Sequence, residues 1–160
     1  MKLTKLIGAI LIVLLIFLFQ NIDLFLEEPV DDTLESVESI EVFEEESYSN
    51  PYYVAAYIFK FDKLPPNYIT KEEAQELGWL SHEGNLWEVT ENRSIGGNRF
   101  YNREGLLPEE SGRKWYECDV NYEGGYRGAQ RLVYSNDGLI YYTEDHYESF
   151  FEITREQVIK

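Results

Sequence analysis

An α+β fold, with short N-terminal helices followed by a twisted antiparallel β-sheet, is what this sequence predicts, and three observations carry the prediction. Apolar residues recur at helical spacing behind recognisable caps up to about residue 90, the period changes to two after Gly96-Gly97, and a glycine turn at Glu123, Gly124 and Gly125 lies between two alternating segments. A chain of 160 residues, 44% hydrophobic and 16% aromatic, can bury one core, so one folded domain with an N-terminal appendage is expected. No internal repeat is visible.

The appendage, residues 1–26, opens with Lys2 and Lys5 before an uninterrupted apolar run from Leu6 to Phe19. As a helix the run would span about 21 Å, short of the roughly 30 Å of a hydrocarbon core. A signal-peptide core is therefore the favoured reading. No A-x-A site follows, the nearest small-residue candidate being Val37-Glu38-Ser39, so an uncleaved anchor stays open, with membrane contact only through this segment. Lysines before the run and acids after it place the remainder outside the cytoplasm, secreted or tethered. From Asp23 to Glu46 there are 11 acidic residues and no basic one. Residues 27–48 read as a solvated, disordered spacer, with residues 49–160 as the folded domain. A sharper alternative makes the spacer a polyanion mimic that folds back on the cationic site described below. Cys118 is the only cysteine, so no intramolecular disulfide is available and the core must hold the fold unaided.

Within the domain, Asn50-Pro51 marks a helix start, with Val54, Ile58 and Phe61 on one face and a stop before Leu64-Pro65-Pro66. Thr70-Lys71-Glu72-Glu73 reads as a capping box opening a second helix that Gly78 closes, and a third short helix follows Asn85. Strands are expected near Arg99, Lys114 to Tyr122, Tyr126 to Tyr134 and Leu139 to Thr143. Closing the glycine turn by pairing Tyr122 with Tyr126 sets Glu117 opposite Arg131. One face then carries Trp115, Glu117, Asp119, Asn121, Arg127 and Arg131. The other carries Tyr116, Cys118, Val120, Tyr122, Tyr126, Leu132 and Tyr134 and reads as core, so the polar face is expected to look outward. An outward Glu117 facing Arg131 would ordinarily be a plain cross-strand ion pair. Trp79, Trp87 and Trp115 read as packing residues, and His82 as a surface residue.

The runs LPPNYITKEEAQELGW, SIGGNRFYNREGLLPEESGRKWYE and LIYYTEDHY, with the hairpin between them, closely resemble the small bacterial guanyl-preferring ribonucleases of the barnase and binase type over about Tyr52 to Ile153. The resemblance implies the microbial ribonuclease fold and metal-independent cleavage of single-stranded RNA after guanosine. It implies Glu117 as general base and His146 as general acid, with Lys71, Arg127, Arg131 and Tyr147 around the phosphate. It also implies a guanine-recognition loop containing Phe100, Asn102, Arg103 and Glu104, in which Glu104 accepts from the donors on guanine's Watson-Crick edge. The chemistry is consistent with that set. Transphosphorylation through the 2′-hydroxyl needs a base, an acid and positive charge around a phosphorane, and a histidine, with an unperturbed pKa of about 6.5, suits the donor's task. Lys71 at a helix start adds backbone N–H groups to the anion-attracting field. No His/Cys/Asp/Glu set at metal-ligand spacing and no phosphate-cradling glycine motif occurs, so neither a metal nor a cofactor is suggested.

Some residues depart from the resemblance. Residues 49–160 hold 12 lysines and arginines against 19 acids, so long-range attraction of RNA should be poor. Tyr101 stands where a smaller residue is usual, Gly138 where an aromatic is familiar, and residues 154–160 extend past the usual C-terminus. A monomeric enzyme is expected. Two further readings use the same residues: a toxin matched by a small acidic inhibitor of the barstar kind, and a catalytically silent protein-binding module.

Overall fold

The computed structural model describes residues 39–159, and the apolar leader and the spacer up to residue 38 lie outside them. The elements run α1 (Pro51–Phe61), β1 (Tyr68–Ile69), α2 (Lys71–Glu76), α3 (Leu86–Val89), β2 (Ser94–Phe100), β3 (Trp115–Asp119), β4 (Arg131–Ser135), β5 (Ile140–Thr143), β6 (Phe151–Glu152) and α4 (Arg155–Val158). The strands form one sheet in chain order, parallel between β1 and β2 and antiparallel elsewhere. This is the expected α+β architecture. β1, β6 and α4 are too short to leave a periodic signal. Among the described residues, no helix is long and apolar enough to cross a membrane.

The helices start where their caps predict. Asn50 accepts from Tyr52 N–H at 3.0 Å with Pro51 in the first turn, and Asp62 ends α1 in the left-handed region. Thr70 and Glu73 cap α2 reciprocally, Glu73 N–H donating to Thr70 Oγ1 at 3.2 Å and Thr70 N–H to Glu73 Oε2 at 2.7 Å. α1 lays Val54, Ala55 and Ile58 over Cys118, Val120, Leu132 and Ile140, forming the main core against one sheet face.

The hairpin differs from expectation in register. Asp119, not Glu117, pairs with Arg131, and Glu117 pairs with Val133. β3 ends at Asp119 because Asn121 turns into the left-handed region and its N–H donates to Ser49 O at 2.8 Å, so residues 120–130 form a loop rather than a three-residue turn. Gly124 serves a close approach instead: a Cβ there would stand 2.7 Å from the Trp87 ring, which also meets Tyr122 edge-on at 5.5 Å. Tyr126, assigned to the core face, is 72% exposed in that loop. A slip of two residues leaves the faces of β3 and β4 unchanged and alters only the partners.

Nor does the polar face look outward. Leu107, Trp115 and Val133 form a second core layer there, covered by Phe100, Tyr141, Tyr147 and Phe150, and Glu117 is only 7% exposed, Asp119 1% and Arg131 3%. On β2, Gly96 pairs with Cys118 and Asn98 with Glu117, so Gly97 is the extra residue of a bulge. Gly96 is required by close packing, since a Cβ would fall 2.6 Å from Cys118 Cβ and 2.7 Å from Tyr68 Cδ1. The bulge turns Asn98 toward the Glu117 side of the sheet.

The end of the acidic segment is a packed strap, so the boundary at residue 49 is too late. Val42 is 1% exposed within the main core, Ile40 N–H donates to Val158 O at 3.0 Å, Lys60 Nζ to Val42 O at 2.8 Å and Tyr57 hydroxyl to Glu44 O at 2.6 Å. Four acids in the eight residues 39–46 hid one apolar anchor. The C-terminal extension holds the other side of this contact: Val158 is buried, and Arg155 donates to Phe59 O at 2.6 Å. Val42→Ala is expected to cost about 2 kcal/mol, read as a lower urea midpoint with unchanged slope; no change in the midpoint would return the strap to the solvent.

Candidate active site

Glu117 stands at the centre of β3 with both carboxylate oxygens engaged. Lys71 Nζ donates to Oε1 and the Tyr147 hydroxyl to Oε2, each at 2.6 Å. The bulge and the capping box bring Lys71 there. Lys71 N–H donates to Asn98 Oδ1 at 2.9 Å, while Asn98 Nδ2 donates to Glu72 Oε2 at 2.7 Å, so one amide fixes the first turn of α2 against β2. The expected anion-binding role of the α2 amides is corrected by this arrangement. Lys71 N–H is taken by Asn98, and the N–H groups of Glu73 and Ala74 by Thr70, which leaves the helix its dipole but few free donors.

Asp119, one pleat along the same face, gathers the two arginines. Arg127 grips it in a bidentate pair, Nε to Oδ2 and Nη2 to Oδ1 at 2.6 Å each, with its guanidinium over the Trp79 ring at 5.9 Å. Arg131 Nε lies 2.8 Å from Asp119 Oδ1 as an ion pair, out of line for a hydrogen bond, and its Nη1 donates to Gly128 O and Gln130 O. The Glu117–Arg131 pair expected from the tight turn is thus replaced by Glu117–Lys71 and Asp119–Arg131. Lys71, Arg127 and Arg131 against Glu117 and Asp119 leave one positive charge in surplus, within a domain that is acidic as a whole.

Burial pushes the Glu117 carboxyl up, but the hydrogen bonds from Lys71 and Tyr147 and the charges of Lys71 and Arg127 outweigh it and hold the group below the ordinary 4.5. The carboxylate is ionised at neutral pH. Burial first, and then the bond to Glu117, push the Tyr147 phenol well up, so it stays a donor. Lys71→Ala removes the principal counterweight to burial. The acid-side limb of any rate that requires ionised Glu117 is then expected to move to higher pH, checked by a pH–rate profile of kcat/KM; a limb in the same place would discard this account of the carboxyl.

His146 is exposed and lies in the left-handed region with Tyr147, at φ 59° and 77°. Two such residues in succession need external support, and Asp145 supplies it. Its Oδ1 accepts from Thr143 Oγ1 and Ser149 N–H and its Oδ2 from Ser149 Oγ, while Thr143 Oγ1 accepts from Tyr147 N–H. The Ser149 hydroxyl and amide, with Thr143, hold the Asp145 carboxyl down at about 2. The turn sets the His146 ring 4.8 Å from that of Tyr147, whose hydroxyl reaches Glu117.

The 100–104 loop adjoins the same place. The Phe100 ring lies 5.2 Å from that of Tyr147. Asn102, at φ 44°, closes the loop by donating Nδ2 to Leu107 O at 2.9 Å and accepting Leu107 N–H at 3.0 Å, so its side chain shapes the loop from within. Arg103 and Glu104 are exposed. Glu117, Lys71, Tyr147, His146 and Phe100 are therefore joined through direct contacts, and Arg127 and Arg131, joined through Asp119, stand near enough for the Arg127 charge to act on Glu117. The supporting roles of Asn98, Asp119 and Asp145 escaped sequence reasoning. Asp119 gave one usable signal, its position two residues from Glu117 and hence on the same face.

The sequence pattern of the family described as ribonuclease matches residues 54–154. The chain is 56% identical over 100 residues to a ribonuclease of Heyndrickxia coagulans, covering 62% of this chain and 92% of that one. It is equally similar to a ribonuclease of Bacillus intermedius, of whose length the match spans 62%. A guanyl-specific ribonuclease St of Saccharopolyspora erythraea is 47% identical over 88 residues, 54% of this chain and 77% of that protein.

Proposed function

From the premise that this chain belongs to the ribonuclease family, we propose that it is an endoribonuclease that cleaves single-stranded RNA after guanosine, acting outside the cytoplasm behind its apolar leader. The observation that carries the reading is the buried, ionised Glu117 carboxylate held between Lys71 and Tyr147, with the cations of Arg127 and Arg131 alongside.

In this mechanism Glu117 takes the proton of the ribose 2′-hydroxyl as its oxygen attacks the adjoining phosphorus. His146 gives a proton to the departing 5′-oxygen, and a 2′,3′-cyclic phosphate remains. Hydrolysis runs the same path in reverse: His146 takes a proton from water, and Glu117 returns one to the 2′-oxygen. Lys71, Arg127 and Arg131 meet the negative charge that grows on the phosphorane oxygens. A carboxylate with both oxygens already accepting hydrogen bonds is a weaker base than a free one. Its low pKa is the cost of keeping it ionised in a half-covered site.

Guanosine preference rests in this reading on Glu104 accepting from guanine's Watson-Crick edge, with loop N–H groups reading the guanine oxygen. Adenine does not offer that acceptor the same pair of donors, so the bonds that hold guanine are not made. The experiment is digestion of single-stranded RNA with analysis of product ends: 2′,3′-cyclic phosphates after guanosine are expected, and products without them would refute the transphosphorylation route. Glu104→Gln is expected to lower kcat/KM on GpA by a larger factor than on ApA. Equal losses on the two dinucleotides would remove Glu104 from the recognition of the base.

A further inference from the structure

From the recognition loop runs a column of alternating guanidiniums and aromatic rings, of which the resemblance gives a role to Arg103 alone. Arg103 and Arg99 each place a guanidinium 5.8 Å from the centre of the Tyr101 ring, Arg99 lies 5.3 Å from Tyr116, and Tyr116 stacks on Tyr134 at 5.7 Å with 27° between planes. The register builds it, since Arg99 pairs with Tyr116 and Tyr116 with Tyr134 across three strands. The inner end leans on the main core through Tyr134, whereas the outer end is open: Tyr101 is 68% exposed and both arginines face solvent. Among the described residues, neither guanidinium has a carboxylate within ion-pair distance, unlike Arg113, Arg127 and Arg131, each held by an aspartate.

We propose that Tyr101, with Arg99 and Arg103, is a stacking subsite for the base of a nucleotide flanking the guanosine in single-stranded RNA. The proposal rests on the ribonuclease reading and extends it. Tyr101 lies in the chain between Phe100, which touches Tyr147 of the catalytic cluster, and Asn102, which closes the recognition loop. Arg99, Tyr116 and Tyr134 lie on the sheet face opposite Glu117, so a strand leaving a guanosine bound at that loop reaches the Tyr101 ring by turning over the end of β2. A base that slides onto Tyr101 displaces one guanidinium, which is then free for the attached phosphate, while the other keeps the ring oriented by cation–π attraction.

Stacking is also the form of affinity that suits this domain. Glu109 and Glu110 line the hollow next to Arg99 and Tyr101, and a domain with more acids than bases gains little from long-range attraction of phosphates. Base–aromatic contact depends on neither and tolerates any base. Support of the sheet alone would not need the outermost ring and its two cations left in water.

The test is titration calorimetry of the whole protein with two uncleavable probes, a 2′-deoxy dinucleotide containing guanine and a 2′-deoxy hexanucleotide with one central guanine. The wild type is expected to bind the hexamer at least about tenfold more tightly than the dimer. Tyr101→Leu should remove most of that ratio, and Tyr101→Phe should keep it. An unchanged ratio in Tyr101→Leu, a wild type with no preference for the hexamer, or a Tyr101→Phe variant that behaves like leucine would each overturn the subsite. Because the probes are not cleaved, failure of the ribonuclease reading shows separately, as absence of cleavage of the all-ribose hexamer by the wild type.

Discussion

Replacing Glu117 or His146 by alanine is expected to lower kcat/KM on a guanosine-containing dinucleotide by roughly 10²- to 10⁴-fold while the fold persists. In the proposed mechanism one group takes a proton as the other gives one, so the double variant should be little worse than the poorer single variant. Stability distinguishes them. Glu117 is clamped by Lys71 and Tyr147, and its removal leaves a half-buried phenol without that acceptor, whereas His146 is exposed and only its ring contact with Tyr147 is lost. A fall in thermal midpoint is therefore expected for Glu117→Ala and little for His146→Ala. Unchanged turnover in both variants would discard the acid–base assignment.

The largest effect on stability is expected at Asp119. This carboxylate is almost wholly buried and is the shared partner of Arg127 and Arg131, of which Arg131 is itself buried. Asp119→Ala leaves a guanidinium in the interior without its counter-charge, a change that costs about 3–5 kcal/mol, because water cannot replace the lost partner. Urea unfolding at neutral pH should report that loss, and cleavage should fall with it as the two guanidiniums lose their common anchor. The double variant Asp119→Ala/Arg131→Met should recover a good part of the stability, since the penalty belongs to the stranded charge rather than to the absent bond. A loss below about 1 kcal/mol in the single variant would mean that Arg131 reaches solvent and that the pair behaves like a surface one.

The acid limit of this stability has a defined sign. Glu117 has a folded pKa below its ordinary value, so its contribution is complete above about 4.5 and is lost as pH falls through the lower folded value. Asp145, held at about 2 against an ordinary 3.8, adds stability that disappears between those two values.

Local signals carried much of this protein in the open sequence. Asn50-Pro51 and the Thr70–Glu73 box fix the starts of α1 and α2, because a cap satisfies backbone N–H groups within three or four residues and needs no other part of the chain. The alternation through β3 and β4 fixed which side chains share a face, since that depends only on a period of two. The motifs around Glu117 and His146 picked out two residues that Tyr147 links in the fold.

Partnership was not legible, because it is decided between segments far apart in the chain. Whether Arg131 faces Glu117 or Asp119 depends on a two-residue slip that leaves every face unchanged, and Asn121 settled it by leaving the strand to bond Ser49. The buried state of the polar face came from Phe100 at the end of β2, Leu107 in the loop after it and Tyr147 in the loop after β5 closing over it. Composition made the end of the acidic segment look solvated, yet one Val42 side chain and three backbone carbonyl contacts hold it to the core. What the sequence determines alone is whatever hydrogen bonding and periodicity decide within one turn or one pleat. Charge pairing and burial were left to the tertiary structure, because both depend on how much water the neighbouring segments exclude.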